Sequence, residues 1–189
     1  MKYTYTKNKR FYKEDTIIKL IKFIYDELKI YFDDIDTECW ITEKEEPTYI
    51  KEEKLVKDGI HIIFPNIIGH TKVLTEFIKK LTSTEENCDK IYDIFKTTSK
   101  KNVVPMNKIS DVLDSKVKRW FVYGDGKNGS YPYLLTKIID CNKFEIINNN
   151  YESKEIMNKI CLLNEFEKNI IYKNNIDNIL IHKSSSSNK

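Results

Sequence analysis

The sequence predicts an α+β fold in which one β-sheet is flanked by helices. Segments with apolar residues at every third or fourth position, typical of amphipathic helices, stand between short runs rich in β-branched and aromatic residues, typical of strands. The strands group in the centre and second half of the chain, which argues against a doubly wound parallel sheet. Hydrophobic side chains make up 40% of the 189 residues, enough to bury one sizeable core.

The first predicted helix begins near Asp15 or Thr16, because either side chain can cap a helix N-terminus. The acidic run "DDIDTE" ends it. Its apolar residues recur at intervals of three and four and predict one buried stripe: Ile17, Leu20, Ile21, Ile24, Leu28 and Tyr31.

Two strands are predicted after this helix. The first is "CWIT", residues 39–42, and a charged loop runs from it to Lys57. The second is "GIHIIF", residues 59–64, and Pro65 ends it.

The rest of the chain predicts further helices and a meander. Val73 to Leu81 form one helical stripe, and Ser83 with Glu86 fits a capping box that opens another helix. After these come the strand "RWFVYG" and the Gly-rich turn "GDGKNGSYP". Two strands, "YLLTKIID" and "KFEII", follow as a hairpin or meander. A helix over residues 152–163, the short strand "NILIH" and the polar tail "KSSSSNK" complete the chain.

Composition excludes several classes of protein. No apolar run approaches the roughly 20 residues of a membrane span, and "MKYTYTKNKR" lacks the hydrophobic segment of a secretory signal, so we expect an intracellular protein with no membrane partner. The four cysteines show no metal-binding or disulfide spacing. With 32 basic and 29 acidic residues the net charge is only +3, too small to indicate a dedicated nucleic-acid binder.

His61 is the first residue that could carry chemistry. Strand alternation places it on the same face as Ile63 and opposite Ile60, Ile62 and Phe64. A half-buried strand histidine that donates to a neighbour is one interpretation. The other is a triphosphate contact, because Gly59 allows a close approach and Lys57 can bind phosphate.

A second candidate group lies in "LDSKVKRWFVYGDGK". Asp114 precedes a predicted strand and Lys127 follows it in a Gly-rich turn, so a metal-binding carboxylate and a phosphate-binding ammonium could flank one surface. The turn lacks P-loop spacing, and a simple hairpin loop is the alternative. Three basic clusters could each meet phosphate or form a solvated face: 7–10, 99–101 and 115–119.

Taken in order, "KDGIHIIFP", "LDSKV" and "RWFVYGDGKNGSYPYLLTKI" resemble the archaeo-eukaryotic primase domain at the N-terminus of primase-helicases of nucleocytoplasmic large DNA viruses. The resemblance extends from the first helix to about Asp140. It implies an RRM-like sheet core, Mg²⁺ or Mn²⁺ as cofactor, and as partners a nucleoside triphosphate, a single-stranded DNA template and a helicase module of the same or a neighbouring polypeptide. The expected location is the viral replication factory in the host cytoplasm.

The resemblance also assigns roles to residues. His61 corresponds to the family's triphosphate-binding catalytic histidine, with Gly59 and Lys57 beside it, and Asp114 to the catalytic metal-binding carboxylate. Lys127, after Tyr123, corresponds to a phosphate-binding lysine. The remaining basic residues are expected to bind nucleic acid: Lys116, Lys118 and Arg119.

The chain departs from the family pattern upstream of the first helix, where the family places a strand ending in Asp-x-Asp. The only Asp-x-Asp here is Asp34-Ile35-Asp36, after the helix, where a solvated turn is the simpler interpretation. Gly59 also replaces a common serine, and Asp125 stands where a small residue is usual and would repel phosphate.

The sequence is compatible with two functions and with a third, simpler possibility. The first is template-directed primer synthesis in viral DNA replication by a partial primase domain over residues 1–183, a fragment or split product, with a linker or tail at 184–189. The second is a degenerate, non-catalytic module that holds single-stranded DNA or a replication partner. A globular domain with no nucleotide site is a third possibility.

Overall fold

The computed structural model confirms the α+β class. Its described part contains four helices: α1 (Glu14–Leu28), α2 (Thr71–Ser83), α3 (Glu85–Thr98) and α4 (Ser153–Ile160). It also contains seven strands: β1 (Lys2–Tyr3), β2 (Glu38–Lys44), β3 (Thr48–Ile50), β4 (Leu55–Lys57), β5 (Ile60–Ile63), β6 (Tyr133–Asp140) and β7 (Glu145–Ile147). The residues described are 2–3, 10, 12–32, 35, 38–65, 67, 71–98, 113, 123–126, 130–147 and 150–160.

The main sheet has four antiparallel strands in the order β5-β2-β6-β7. Trp40 at its centre lies opposite Ile63 of β5 and Ile138 of β6. The register between β2 and β6 shifts between Ile41 and Thr42, which marks a β-bulge. The hairpin of β6 and β7 confirms the pairing expected from their sequences.

Each face of the sheet is covered by helices. Helices α1, α2 and α3 pack on one face, where Ile41 and Ile139 meet Ile21 and Ile91 in the larger core. Helix α4 packs on the other face, where Ile156 and Ile160 cover Trp40. Burying one such aliphatic side chain contributes roughly 1.5–3 kcal/mol, so the sheet is held from both sides.

The alternation predicted for β5 is confirmed. Ile60, Ile62 and Phe64 pack against the larger core, whereas Ile63 joins Trp40 under α4. His61, between Ile60 and Ile62, therefore faces the α4 side of the sheet.

The charged loop predicted before Lys57 is wrong. Strands β3 and β4 form a hairpin there, joined by a turn in which Lys54 adopts a positive φ of 52°. With β1 they form a second sheet in the order β1-β4-β3. The charged residues of the turn favoured a loop, although a short apolar pair stands on either side of them. Within these pairs, Val56 is wholly buried.

The predicted helix caps were also misplaced. Helix α1 begins after Lys13, whose backbone N–H donates to the Thr16 hydroxyl at 3.2 Å, so Thr16 lies inside the first turn. Ser83 is the last residue of α2, and Thr84 precedes α3 instead. Residues that can cap a helix stand at neighbouring positions before both α1 and α3. Sequence alone therefore misplaced the first residue of each helix by one or two positions.

Several predicted elements lie outside the described residues. They are most of "RWFVYG", the "NILIH" strand, Asp34, Asp36 and the tail at 184–189. Among the described helices, none has the length and apolar character required to cross a membrane.

Candidate functional site

The sheet face under α4 changes from apolar to polar along its strands. Trp40 is covered by the helix, Thr42 lies opposite His61, and Lys44 at the end of β2 lies opposite Tyr133. Because alternate residues of a strand share a face, these side chains form one row. We call this part, defined by Thr42, Lys44, His61 and Tyr133, the polar end of the sheet.

His61 and Tyr133 stack at the polar end. Their ring centres are 3.9 Å apart and their planes differ by 15°. Gly59 makes room for this pair, because a Cβ built there would come within 2.8 Å of two Tyr133 ring carbons. The close approach that we expected Gly59 to allow is therefore used by Tyr133 in this structure.

Two features of the surroundings change the pKa of His61. Burial, and then the charge of Lys44, lower the pKa of His61 to about 4. The imidazole is consequently neutral at pH 7 and offers one N–H donor. A bound anion beside it would favour the protonated ring.

A turn ties the polar end to the segment before Lys127. The Gly124 N–H donates to the Tyr133 carbonyl at 3.2 Å, and the Tyr133 N–H donates to the Asp125 carbonyl at 3.4 Å. Gly124 has a φ of +80°, a conformation that glycine adopts without strain. The turn of Tyr123 to Gly126 is thus fixed to the residue whose ring stacks on His61.

A buried network of charges, which sequence reasoning missed, lies beside the polar end. The Arg10 guanidinium donates to Asp58 at 2.9 Å, lies 3.4 Å from Glu43 and donates to the Lys44 carbonyl at 2.6 Å. Lys137 donates to Glu43 at 2.8 Å. Both carboxylates are only 1% exposed, so each depends on these cations.

In this network the neighbouring cations outweigh the effect of burial on the pKa of Glu43. Burial alone would raise that pKa, but hydrogen bonds from Lys137 and Thr136 and the charge of Arg10 bring it below its ordinary value. Glu43 is therefore ionised at neutral pH. Arg10 belongs to the basic run at 7–10, which we expected to bind phosphate or face solvent; instead its guanidinium binds carboxylates.

Comparison with known protein families supplies the decisive observation. The family model described as the C962R protein N-terminal AEP domain matches residues 1–139, where AEP denotes archaeo-eukaryotic primase. The chain belongs to this family. C962R is a viral primase-helicase of the nucleocytoplasmic large DNA virus type, so the predicted family is confirmed. Searches of curated proteins and of solved structures found no match.

Membership in the AEP family implies nucleotide and DNA partners, and divalent metals are general in the family. The family match ends at residue 139, inside β6, whereas β7 and α4 continue the same fold. Strand β7 pairs with β6, and α4 packs on the same sheet, although neither lies within the matched residues.

The structure describes only some of the predicted AEP site residues. His61 is half-buried and Gly59 lies against Tyr133, while Lys57 is exposed at the end of β4. Leu113 packs against the larger core. The other candidates lie outside the described residues: Asp114, Lys116, Lys118, Arg119 and Lys127.

The described residues alone do not fit a metal centre. No group of three histidine, cysteine or acidic side chains within them could hold an ion. The buried carboxylates Glu43 and Asp58 are already bonded to Lys137 and Arg10. We therefore derive no catalytic step through a metal from these residues.

Proposed function

We propose that this AEP domain binds a nucleoside triphosphate and single-stranded DNA for template-directed primer synthesis in viral DNA replication. The observation that carries the proposal is the stack of His61 on Tyr133, because the backbone of Tyr133 is bonded to the turn that immediately precedes Lys127. His61 is thus linked through Tyr133 to the turn of Tyr123 to Gly126, after which Lys127 follows in the sequence.

Each candidate residue has a distinct role in this proposal. The neutral His61 donates to a phosphate oxygen, and Lys57 and Lys127 supply positive charge. Gly59 acts indirectly, because it leaves the room in which Tyr133 stacks on His61. Asp114 would offer one carboxylate to Mg²⁺ or Mn²⁺, and an ion held there would supply positive charge for activation of the 3′-hydroxyl and for stabilisation of the leaving pyrophosphate. Template phosphates are bound by the basic run: Lys116, Lys118 and Arg119.

A non-catalytic module that binds single-stranded DNA or a replication partner is the second candidate. It is favoured by the pairing of the two buried carboxylates, Glu43 and Asp58, with Lys137 and Arg10. In either case we propose a location in the viral replication factory of the host cytoplasm, beside a helicase module.

Two measurements test these functions. ATP binding in the presence of Mn²⁺ should weaken tenfold or more in His61→Ala and Lys127→Ala, because each loses a contact to phosphate worth about 1.5–3 kcal/mol. Primer synthesis on a single-stranded template should be abolished by Asp114→Ala. Unchanged ATP affinity in both binding variants excludes the nucleotide site, and binding without any primer synthesis selects the non-catalytic module.

A further inference from the structure

The polar end contains a lysine, Lys44, that no sequence motif singled out. Lys44 ends β2, and its ammonium nitrogen lies 5.3 Å from the ring centre of Tyr133 and donates to the Ser130 hydroxyl at 2.7 Å. Because Tyr133 also stacks on His61, one ring is shared by a cation and by the histidine.

The loop around Ser130 adds to this arrangement. Ser130 and Tyr131 lie close to Gly126, since a Cβ built at Gly126 would be 3.2 Å and 3.1 Å from their carbonyl oxygens. Gly126 directly precedes Lys127. Lys44 is therefore bonded to a residue that lies against Gly126.

Thr42 provides an independent observation in the same row. Its hydroxyl is buried and has no hydrogen-bond partner among the described residues, although it lies between His61 and Leu135 in the sheet. A buried hydroxyl without a partner costs about 1–3 kcal/mol, and a polar ligand bound in this row would supply the missing hydrogen bond. Packing against the neighbouring core therefore does not explain why this row contains a buried hydroxyl.

We propose that Lys44 binds the polyphosphate of the nucleoside triphosphate, with the face of Tyr133 holding its ammonium group next to His61. The inference rests on the proposed function, because it adds a contact to the same ligand. A compact ammonium on a flexible stem suits a phosphate oxygen. The Ser130 hydroxyl is a neutral partner that an anionic oxygen can replace at the lysine.

The test compares three variants of the whole chain by calorimetry in Mn²⁺. Lys44→Gln should weaken the binding of ATP and of inorganic tripolyphosphate at least tenfold, and Lys44→Arg should retain most of it. Lys90→Gln is the matched control, because Lys90 is an exposed lysine of α3 on the other side of the sheet, paired with Glu86 at 2.7 Å. Circular dichroism verifies that each variant is folded.

A second readout separates a binding role from a structural one. In a proton NMR titration tripolyphosphate should raise the pKa of His61 in the unmodified chain, and the rise should be smaller in Lys44→Gln. If Lys44→Gln binds both ligands normally while His61→Ala does not, Lys44 makes no contact and only this inference is overturned. If neither substitution weakens binding, the nucleotide site itself is overturned as well. Equal weakening in Lys44→Gln and Lys90→Gln would reduce the effect to general charge and also overturn the inference.

Discussion

The two ends of one sheet face use the same combination of groups for different purposes. At the α4 end, Trp40 and Tyr151 lie 5.0 Å apart, and the Lys159 ammonium is 4.6 Å from the Tyr151 ring centre. At the polar end, the ring stacked on Tyr133 is His61, and the lysine is Lys44.

The two ends differ in whether a helix covers the rings and in the chemistry of the ring that lies beside the tyrosine. Trp40 is fully buried under a helix and donates its indole N–H to Glu38 at 3.0 Å. His61 is partly exposed and carries a titratable ring. A lysine over two neighbouring rings, tilted at one end and stacked at the other, is thus expected to stabilise the fold under α4 and, in our proposal, to prepare a binding site at the polar end.

The largest expected effect is at the α4 end. Trp40→Ala should lower the free energy of unfolding by about 3–5 kcal/mol, because it leaves a cavity between the sheet and α4. Urea unfolding measures it. Met157→Ala on α4, where the side chain is 44% exposed, is the control and should change stability little. Equal losses in the two variants would mean that α4 does not seal this face.

The buried charges beside the polar end should show the next largest effect. Arg10→Ala leaves Asp58 and Glu43 without one of their cations and should cost about 2–3 kcal/mol, reduced from the value for a fully buried pair because Arg10 is 25% exposed. Chemical denaturation again provides the number. A loss below 0.5 kcal/mol would show that the network contributes little to the fold.

Protonation of His61 should make the stability of the folded chain depend on pH. Its pKa of about 4 in the folded chain is below the unfolded value of 6.5, so the unfolded chain binds more protons between these pH values. The stabilisation is complete above pH 6.5 and is lost as the pH falls towards 4, by about 2 kcal/mol after allowance for solvent exposure. In His61→Gln that part of the pH dependence should disappear from thermal unfolding curves; its persistence would assign it to another group.

The smallest effect sharpens the comparison of the two lysines. Lys159→Gln should lower stability by about 0.5–1 kcal/mol, the usual range for a partly exposed cation over aromatic rings. It should leave ATP affinity unchanged, unlike Lys44→Gln. A loss of ATP affinity in Lys159→Gln would contradict the division of roles between the ends.

Local patterns predicted much of the fold. The apolar stripe of α1, the alternation around His61 and the hairpin of β6 with β7 depend on residues close together in sequence, and all three are confirmed. The hairpin of β3 and β4 was missed because its strands have only three residues each, too few for a clear alternation.

The missed parts of the candidate site depend on distant pairs. Arg10 and Asp58 are 48 residues apart, and Lys137 and Glu43 are 94 apart. No local periodicity marks such pairs, and the stack of Tyr133 on His61 depends on the registers of β5 and β6 with β2 and on the room left by Gly59. The resemblance to the primase family identified His61 but carried no information about what its ring would meet.

Gly59, between β4 and β5, lies against the ring of Tyr133 in β6. A side chain at position 59 would require that ring to move or to become smaller, because an added Cβ would come within 2.8 Å of two of its carbons. Exchanges at these two places are thus expected to occur together during evolution, and Gly59→Ser should be tolerated far better when Tyr133 is simultaneously replaced by valine.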